Sequence, residues 1–268
     1  LSKYLRIDRQ VTQPGTITHL FWTGGWDSTF RLLQLLLDEQ KAVQTYYLLD
    51  SSRASCPKEI ETILTIKKRL HTDYPHTQQL LLPTQFHEVT ALRPNSEITQ
   101  AFHEILKKKH LGTQYEFLAR FCAERGLKDV ELSIVDDGAF HLFIPDLNGT
   151  NGTTPAAENE PLSSDLQKIF RFFTFPLIHR SKTEIQRIAE QRGWMDFMRL
   201  TWFCHNPILG KYPCGQCIPC QIALEEGMGW RIPALIRAKN KLAGARPFSS
   251  VLAKKKAPIR VGHFGNRI

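Results

Sequence analysis

The stretch that most constrains the fold is ITHLFWTGGWDSTFRLL, residues 17–33, in which an apolar, β-rich run passes through two glycines directly into a segment of helical period. Across residues 27–40, Phe30, Leu33, Leu36 and Leu37 fall on one helical stripe. The same alternation then repeats. AVQTYYLL (42–49), QLLLP (79–83) and VELSIV (130–135) read as further strands, and residues 58–70, 97–109, 114–125 and 183–192 as further helices. The first three strands, at 17–22, 42–49 and 79–83, show little polar alternation, as expected where both faces of a strand are buried. Strand and helix in turn predict an α/β fold with a doubly wound, mostly parallel sheet, right-handed crossovers and helices on both faces. Ligands of such sheets bind at the carboxyl ends of the strands. With 268 residues, 42% of them hydrophobic, the chain can build one large core or two small ones. We expect a nucleotide-binding α/β domain over 1–200 and a distinct C-terminal segment over 201–268.

Thr23-Gly24-Gly25-Trp26-Asp27-Ser28 stands between the first strand and the first helix. Gly24 and Gly25 let backbone approach a ligand closely, and the N–H groups opening the new helix suit phosphate. Thr23, Ser28 and Thr29 add hydroxyls. A carboxylate at Asp27 repels phosphate unless Mg2+ lies between them, or it caps the helix. A plain strand-to-helix turn with Asp27 or Ser28 as N-cap fits the same residues. A GxxxxGK[ST] phosphate loop is not present at this turn.

Four of the six cysteines, Cys204, Cys214, Cys217 and Cys220, fall within seventeen residues as C-x9-C-x2-C-x2-C, while Cys56 and Cys122 stand apart. Such clustering points to metal rather than disulfides, with Gly215 and Pro219 shaping the turns. Four thiolates suit a closed, structural Zn2+, and an iron–sulfur cluster is the competing occupant.

Thr23 to Ser28 resembles the SGGxDS signature of the PP-loop ATP pyrophosphatases, with Thr in place of the first Ser. The resemblance implies a PP-loop, adenine nucleotide alpha hydrolase-like fold in which ATP is held by Thr23, Gly24, Gly25, Trp26, Asp27, Ser28 and Thr29. It also implies cleavage between the α and β phosphates and transfer of AMP to a substrate oxygen, with Mg2+ associated with Asp27 and with Asp27 and Ser28 acting in catalysis. Further along, Pro176, Leu177, Lys182, Glu184 and Ile185, then Thr201 and Cys204, then Cys214-Gly215, Cys217 and Cys220 follow the order of the 7-cyano-7-deazaguanine synthases, the QueC-like family. That resemblance implies adenylation of 7-carboxy-7-deazaguanine, amidation by ammonia and ATP-driven dehydration to the nitrile. It places Lys182 near phosphate or acyl adenylate. Where the family has a Y-G-Q-R-like stretch after its second strand, this chain has LDSSRAS, which keeps one arginine, Arg53, as a nucleotide-binding candidate. The P-G-R-N-like segment is replaced by LGTQYEFLA at 111–119. Asp136 and Asp137, in SIVDDGAFHLF, suit a base edge or a second Mg2+, or equally a turn.

The changed middle leaves other outcomes open: a QueC-like ligase that stops at the amide, or one that joins the deazaguanine to an amine of a protein in a bacterial defence setting. A tRNA-modifying sulfur transferase would need a reactive cysteine, for which Cys56 and Cys122 are the candidates. A zinc protein that binds nucleic acid would fit the formal charge of +9 but leave the glycine loop without a purpose. Nucleic acid is not required by the ligase reading, and the charge equally suits nucleotide phosphate. Residues 145–164, rich in Asn, Gly, Thr, Pro and Ser, read as a flexible surface loop or a lid, and the basic tail 253–268 as a solvated terminus. WRIPALIRAKNKLAG (230–244) reads as a helix for packing or for a homodimer surface. His71, His76, His87, His103, His110 and His141 show no ligand spacing. No apolar run approaches the roughly 18 residues of a membrane span and no secretory pattern opens the chain, so a cytoplasmic protein without membrane contact is the expectation.

Overall fold

The computed structural model describes residues 16–108, 111–135 and 164–242. Asp136, Asp137, His110, His141, nearly all of the 145–164 loop and the basic tail lie outside the described residues. The described residues divide into two compact units, one holding the chain up to Ser52 and Cys56–Trp202, the other Arg53–Ser55 and the chain from Phe203 onward.

The first unit is built on five strands: β1 (Thr18–Phe21), β2 (Val43–Leu49), β3 (Gln85–Glu88), β4 (Val130–Glu131) and β5 (Phe173–Thr174). They form one sheet in the order β3-β2-β1-β4-β5, and every pairing is parallel. The chain therefore runs outward from β1 through β2 to β3, then returns to the other side of β1 for β4 and β5. Such an order reverses between β1 and β4, and that is where the carboxyl ends open a crevice.

Seven helices accompany the strands among the described residues of this unit: α1 (Trp26–Leu33), α2 (Cys56–Asp73), α3 (Thr77–Leu80), α4 (Ser96–Lys108), α5 (Gln114–Arg125), α6 (Ser164–Phe170) and α7 (Lys182–Gln191), with a single turn, α8 (Met195–Met198), following. α1 runs on into a π-helical turn at Gln34–Asp38 that buries Leu35 and Leu36. Strand alternation sorts the sheet residues between two faces. Trp22 and Tyr47 meet α1 and α2: the Trp22 indole donates to Thr29 Oγ1 at 3.1 Å, and the Tyr47 hydroxyl to Glu59 at 2.8 Å. Phe21, Tyr46 and His87 meet the other layer, each packing its ring at an angle against Phe121 of α5. On that side α4, α5 and α6 close over Phe102, Phe121, Phe170 and Phe173 in one continuous apolar core. Burying such rings is the dominant favourable term in the fold.

Local signals explain where elements stop. α5 ends at Gly126, whose φ of 65° is the left-handed cap that glycine adopts without strain. α7 begins with Ser181-Lys182-Thr183-Glu184, in which the Ser181 hydroxyl accepts from the Glu184 N–H at 3.2 Å.

Two strands differ from the sequence reading. QLLLP opens in α3 rather than in a strand, and only Leu81 bridges to Val43; Pro83 then lacks a donor, so the ladder resumes at Gln85. β3 is an edge strand with mixed side chains, so it presents no apolar run to read. β5 and α6, absent from the sequence reading, complete the sheet and its cover beyond the 145–164 segment.

The second unit is small. It holds α9 (Ile218–Glu225), a 3-10 turn at Gly229–Arg231 and α10 (Ala234–Leu242). The helix expected across 230–244 is broken by Pro233, whose carbonyl accepts the first bond of α10 from Ile236 at 3.0 Å. No described helix is long and apolar enough to cross a membrane.

Candidate functional site

β1 ends at Phe21, and the chain turns through Thr23, Gly24 and Gly25 into α1 at the crevice where the strand order reverses. The turn is tightly held. Gly24 sits at φ +69°, and a Cβ there would lie 3.0 Å from Thr62 Cγ2 and 3.3 Å from Ile63 Cγ1 of α2. Its carbonyl accepts from the Trp202 N–H at 2.9 Å, so residues far apart in sequence clamp it from two sides. Only glycine satisfies both the left-handed φ and the contact with α2.

Gly25, extended at φ −76° and ψ 171°, is the N-cap of α1, and no side chain caps it. Neither Asp27 nor Ser28 is the N-cap, so the capping role left open by the sequence falls to glycine backbone. The first intrahelical bond runs from Thr29 N to Gly25 O at 3.0 Å, which places the N–H groups of residues 26–28 ahead of the helical ladder. Those groups and the helix dipole favour an anion at this end. Around them, Thr23 Oγ1 accepts from the Gly25 N–H at 3.3 Å and lies 3.5 Å from Ser28 Oγ. Thr23 is exposed, Gly25 and Asp27 are half-buried, and Trp26, Ser28 and Thr29 are buried. Thr29 points inward, its hydroxyl taken by the Trp22 indole.

The loop and its helix are fixed to the strand across the crevice. Arg31, one turn after Asp27, is buried and grips Glu131 of β4 in a fork, Nε to Oε2 at 2.7 Å and Nη2 to Oε1 at 2.8 Å. Its remaining nitrogen bonds Glu39 at 2.5 Å. Burial by itself would lower the Arg31 pKa, but these two carboxylates raise it, so the cation is retained. Nothing in the local sequence announces the Arg31–Glu131 fork, because its partners lie a hundred residues apart and meet only through the β1–β4 pairing.

Of the other residues singled out in the sequence, Lys182 is the first residue of α7 and half-buried, and α7 packs against α1. A cation at the positive end of a helix opposes the dipole, an arrangement that an anion nearby relieves. Lys58, which the sequence reading passed over, stands over the Trp202 ring at 5.7 Å, next to the residue that holds Gly24. Arg53 belongs to the second unit, where its guanidinium donates to Ser55 Oγ at 3.5 Å. Cys56 and Cys122 are both buried. Burial pushes the Cys122 thiol well above its ordinary value, which leaves it a poor nucleophile.

No family model and no curated protein matches the chain.

The second unit gathers the four clustered cysteines. The sulfurs of Cys204, Cys214, Cys217 and Cys220 all lie within 4.8 Å of one another and could hold a metal ion. The Cys204–Cys217 and Cys214–Cys220 separations are 3.8 and 3.9 Å. Metal–sulfur bonds of about 2.3 Å in a tetrahedron give an edge of roughly 3.8 Å. Backbone N–H groups point at the sulfurs: Cys214 N to Cys204 Sγ at 3.2 Å, Gln216 N to Cys214 Sγ at 3.4 Å and Cys217 N to Cys214 Sγ at 3.3 Å. Hydrogen bonds from Cys204 and Cys220 pull the Cys217 thiol far below its usual range. Gly215, at φ +72°, bends the knuckle under α10, where the Asn240 amide donates to Cys214 O at 3.0 Å and accepts from Gln216 at 2.9 Å. Cys204 and Cys220 are buried, so the cluster serves the interior of its unit.

Proposed function

We propose that the chain is an ATP-dependent carbon–nitrogen ligase that adenylates the carboxylate of 7-carboxy-7-deazaguanine, forms the amide with ammonia and drives its dehydration to 7-cyano-7-deazaguanine. The observation that supports this most is the turn after β1. A glycine pair whose first member, Gly24, is held at positive φ between α2 and Trp202, opening a helix at the reversal of an all-parallel sheet, has the form required to cradle the phosphates of a nucleotide. The likeness of Thr23–Ser28 to the PP-loop pyrophosphatases, and of Pro176–Ile185 with the cysteine series to the QueC-like synthases, supplies the reaction and the base.

In this reading the N–H groups at residues 26–28 and the hydroxyls of Thr23 and Ser28 hold the pyrophosphate that leaves as a carboxylate oxygen attacks the α-phosphorus. Lys182 steadies the acyl adenylate. Asp27 would carry Mg2+, which offsets phosphate charge in the transition state. Ammonia then attacks the acyl carbon and AMP departs; a second ATP activates the amide oxygen, which leaves when the nitrile forms. The four cysteines hold a structural Zn2+, since a closed set of thiolates offers no open coordination position for chemistry.

The test is mass spectrometry of the products formed from ATP, Mg2+, 7-carboxy-7-deazaguanine and ammonium. The expected result is the nitrile with two AMP released per product. An amide that accumulates with one AMP would remove the dehydration step, and no AMP at all would overturn the reading.

A further inference from the structure

We propose that Ser133 binds the carboxylate-bearing substrate on the β4 side of the crevice; this rests on the carboxylate-activating reading above. The Ser133 hydroxyl is buried and has no hydrogen-bond partner among the described residues. Burying a hydroxyl without a partner is unfavourable, so folding alone would favour alanine here. The position supplies the reason for serine.

β1 and β4 are paired through Leu20 and Glu131. Two residues beyond each partner stand Trp22, which leads into the glycine loop, and Ser133. Neighbouring strands run about 4.8 Å apart, so at Glu131 the two strands are adjacent, and Ser133 follows at the carboxyl end of β4 on the side of β1. The strand also ends there. Leu132 N still bonds Thr174 O at 2.9 Å, but Ile134 N turns back to Leu132 O at 2.9 Å, a tight turn centred on Ser133 that lifts the chain off the sheet. Arg31 fixes the spacing, because it joins the helix that opens at Gly25 to Glu131, two residues before Ser133. The fork therefore fixes the end of β4, from which Ser133 follows, against the helix that the phosphate loop opens.

Although its oxygen is buried, the residue as a whole is only partly so. With no bond holding it among the described residues, the hydroxyl moves between staggered χ1 positions at little cost. The loop on the β1 side takes the phosphates, so the acid must approach the α-phosphorus from the other wall of the crevice, which β4 forms. A hydroxyl on that wall donates to a carboxylate oxygen and orients it for attack.

The experiment compares the full chain with Ser133→Ala and Ser133→Thr, using 7-carboxy-7-deazaguanine and ATP as the varied substrates and thermal unfolding as the control. Ser133→Ala is expected to raise KM for the acid about tenfold, to leave KM for ATP unchanged and to keep or raise the unfolding midpoint. Ser133→Thr, which retains the hydroxyl, is expected to recover most of the loss. An active parent chain with an unchanged KM for the acid in Ser133→Ala overturns the assignment of Ser133 alone, as does equal weakening of both substrates with a lowered midpoint. A parent chain that forms no AMP with the acid overturns the activating reading and this assignment together.

Discussion

At the scale of single residues the loop depends on Gly24 more than on any charged group. A non-glycine residue in the left-handed region is disfavoured by about 1–2 kcal/mol, and at Gly24 a methyl would also press on Thr62. Gly126 supplies the comparison, with a similar φ of 65° but nothing within 4 Å of the added carbon. Gly24→Ala should therefore lower stability by about 2 kcal/mol or more and Gly126→Ala by about 1 kcal/mol. Urea midpoints of the two variants read the difference, and equal losses would show that contact with α2 contributes nothing. Asp27 makes the opposite case. It caps no helix, because Gly25 does that with its backbone, so Asp27→Ala should keep the fold while reducing AMP formation by about a hundredfold or more. A folded variant that makes AMP at the normal rate would remove Asp27 from the mechanism.

At the scale of elements, the Arg31–Glu131 fork decides where α1 stands against β4. Removing one partner of a buried, hydrogen-bonded ion pair costs about 3–5 kcal/mol because the other charge is left behind. Glu39 still bonds Arg31, so Glu131→Ala should sit near the lower end, about 3 kcal/mol, measured by chemical denaturation. A loss under about 1 kcal/mol would mean that solvent replaces the carboxylate. This pair also shows what the sequence leaves unread. The runs at 17–22 and 42–49 announce β1 and β2 because both lie between helices and most of their side chains are buried and apolar. β3 has no such need at the sheet edge; β4 keeps only the first two residues of the run read at 130–135, and β5, also two residues, is too short for any period to register. The glycines of the loop and the four cysteines are legible because their chemistry is local in sequence. Trp202 and Thr62 reach the loop, and Glu131 reaches Arg31, only through tertiary pairing, which no spacing records. In the second unit the cysteine cluster brings Cys204 to α9 and, through Cys214 and Asn240, to α10. Cys217→Ala should lose the metal on elemental analysis and melt at lower temperature, since metal binding to such a site is folding free energy. Retention of metal at the normal stoichiometry would contradict the ligand set.

At the scale of the whole molecule, acid should act through its half-buried histidines first. Burial lowers the pKa of His19, of His71 with help from Lys67, and of His87 with help from Arg125. In the unfolded chain histidine titrates near 6.5, so below that pH the unfolded state takes up protons that the folded state refuses. Stability is thus full above about pH 6.5 and declines as pH falls through that value toward the lowered folded ones. Glu39 acts later: burial alone would raise its pKa, but Lys41 and Arg31 outweigh that and hold it low. Its contribution persists above the ordinary carboxylate range and is lost in stronger acid. A denaturation series from pH 8 to pH 5 should show the decline beginning near 6.5, and a flat series would contradict it. The central claim is that a carboxylate oxygen attacks the α-phosphorus of ATP held at the turn after β1. The measurement that reads this most directly uses 7-carboxy-7-deazaguanine labelled with 18O in its carboxylate and follows the label by mass spectrometry of the nucleotide product. The account predicts AMP carrying one 18O from the acid, with unlabelled pyrophosphate. Release of ADP, or of AMP whose new oxygen comes from water, would contradict it.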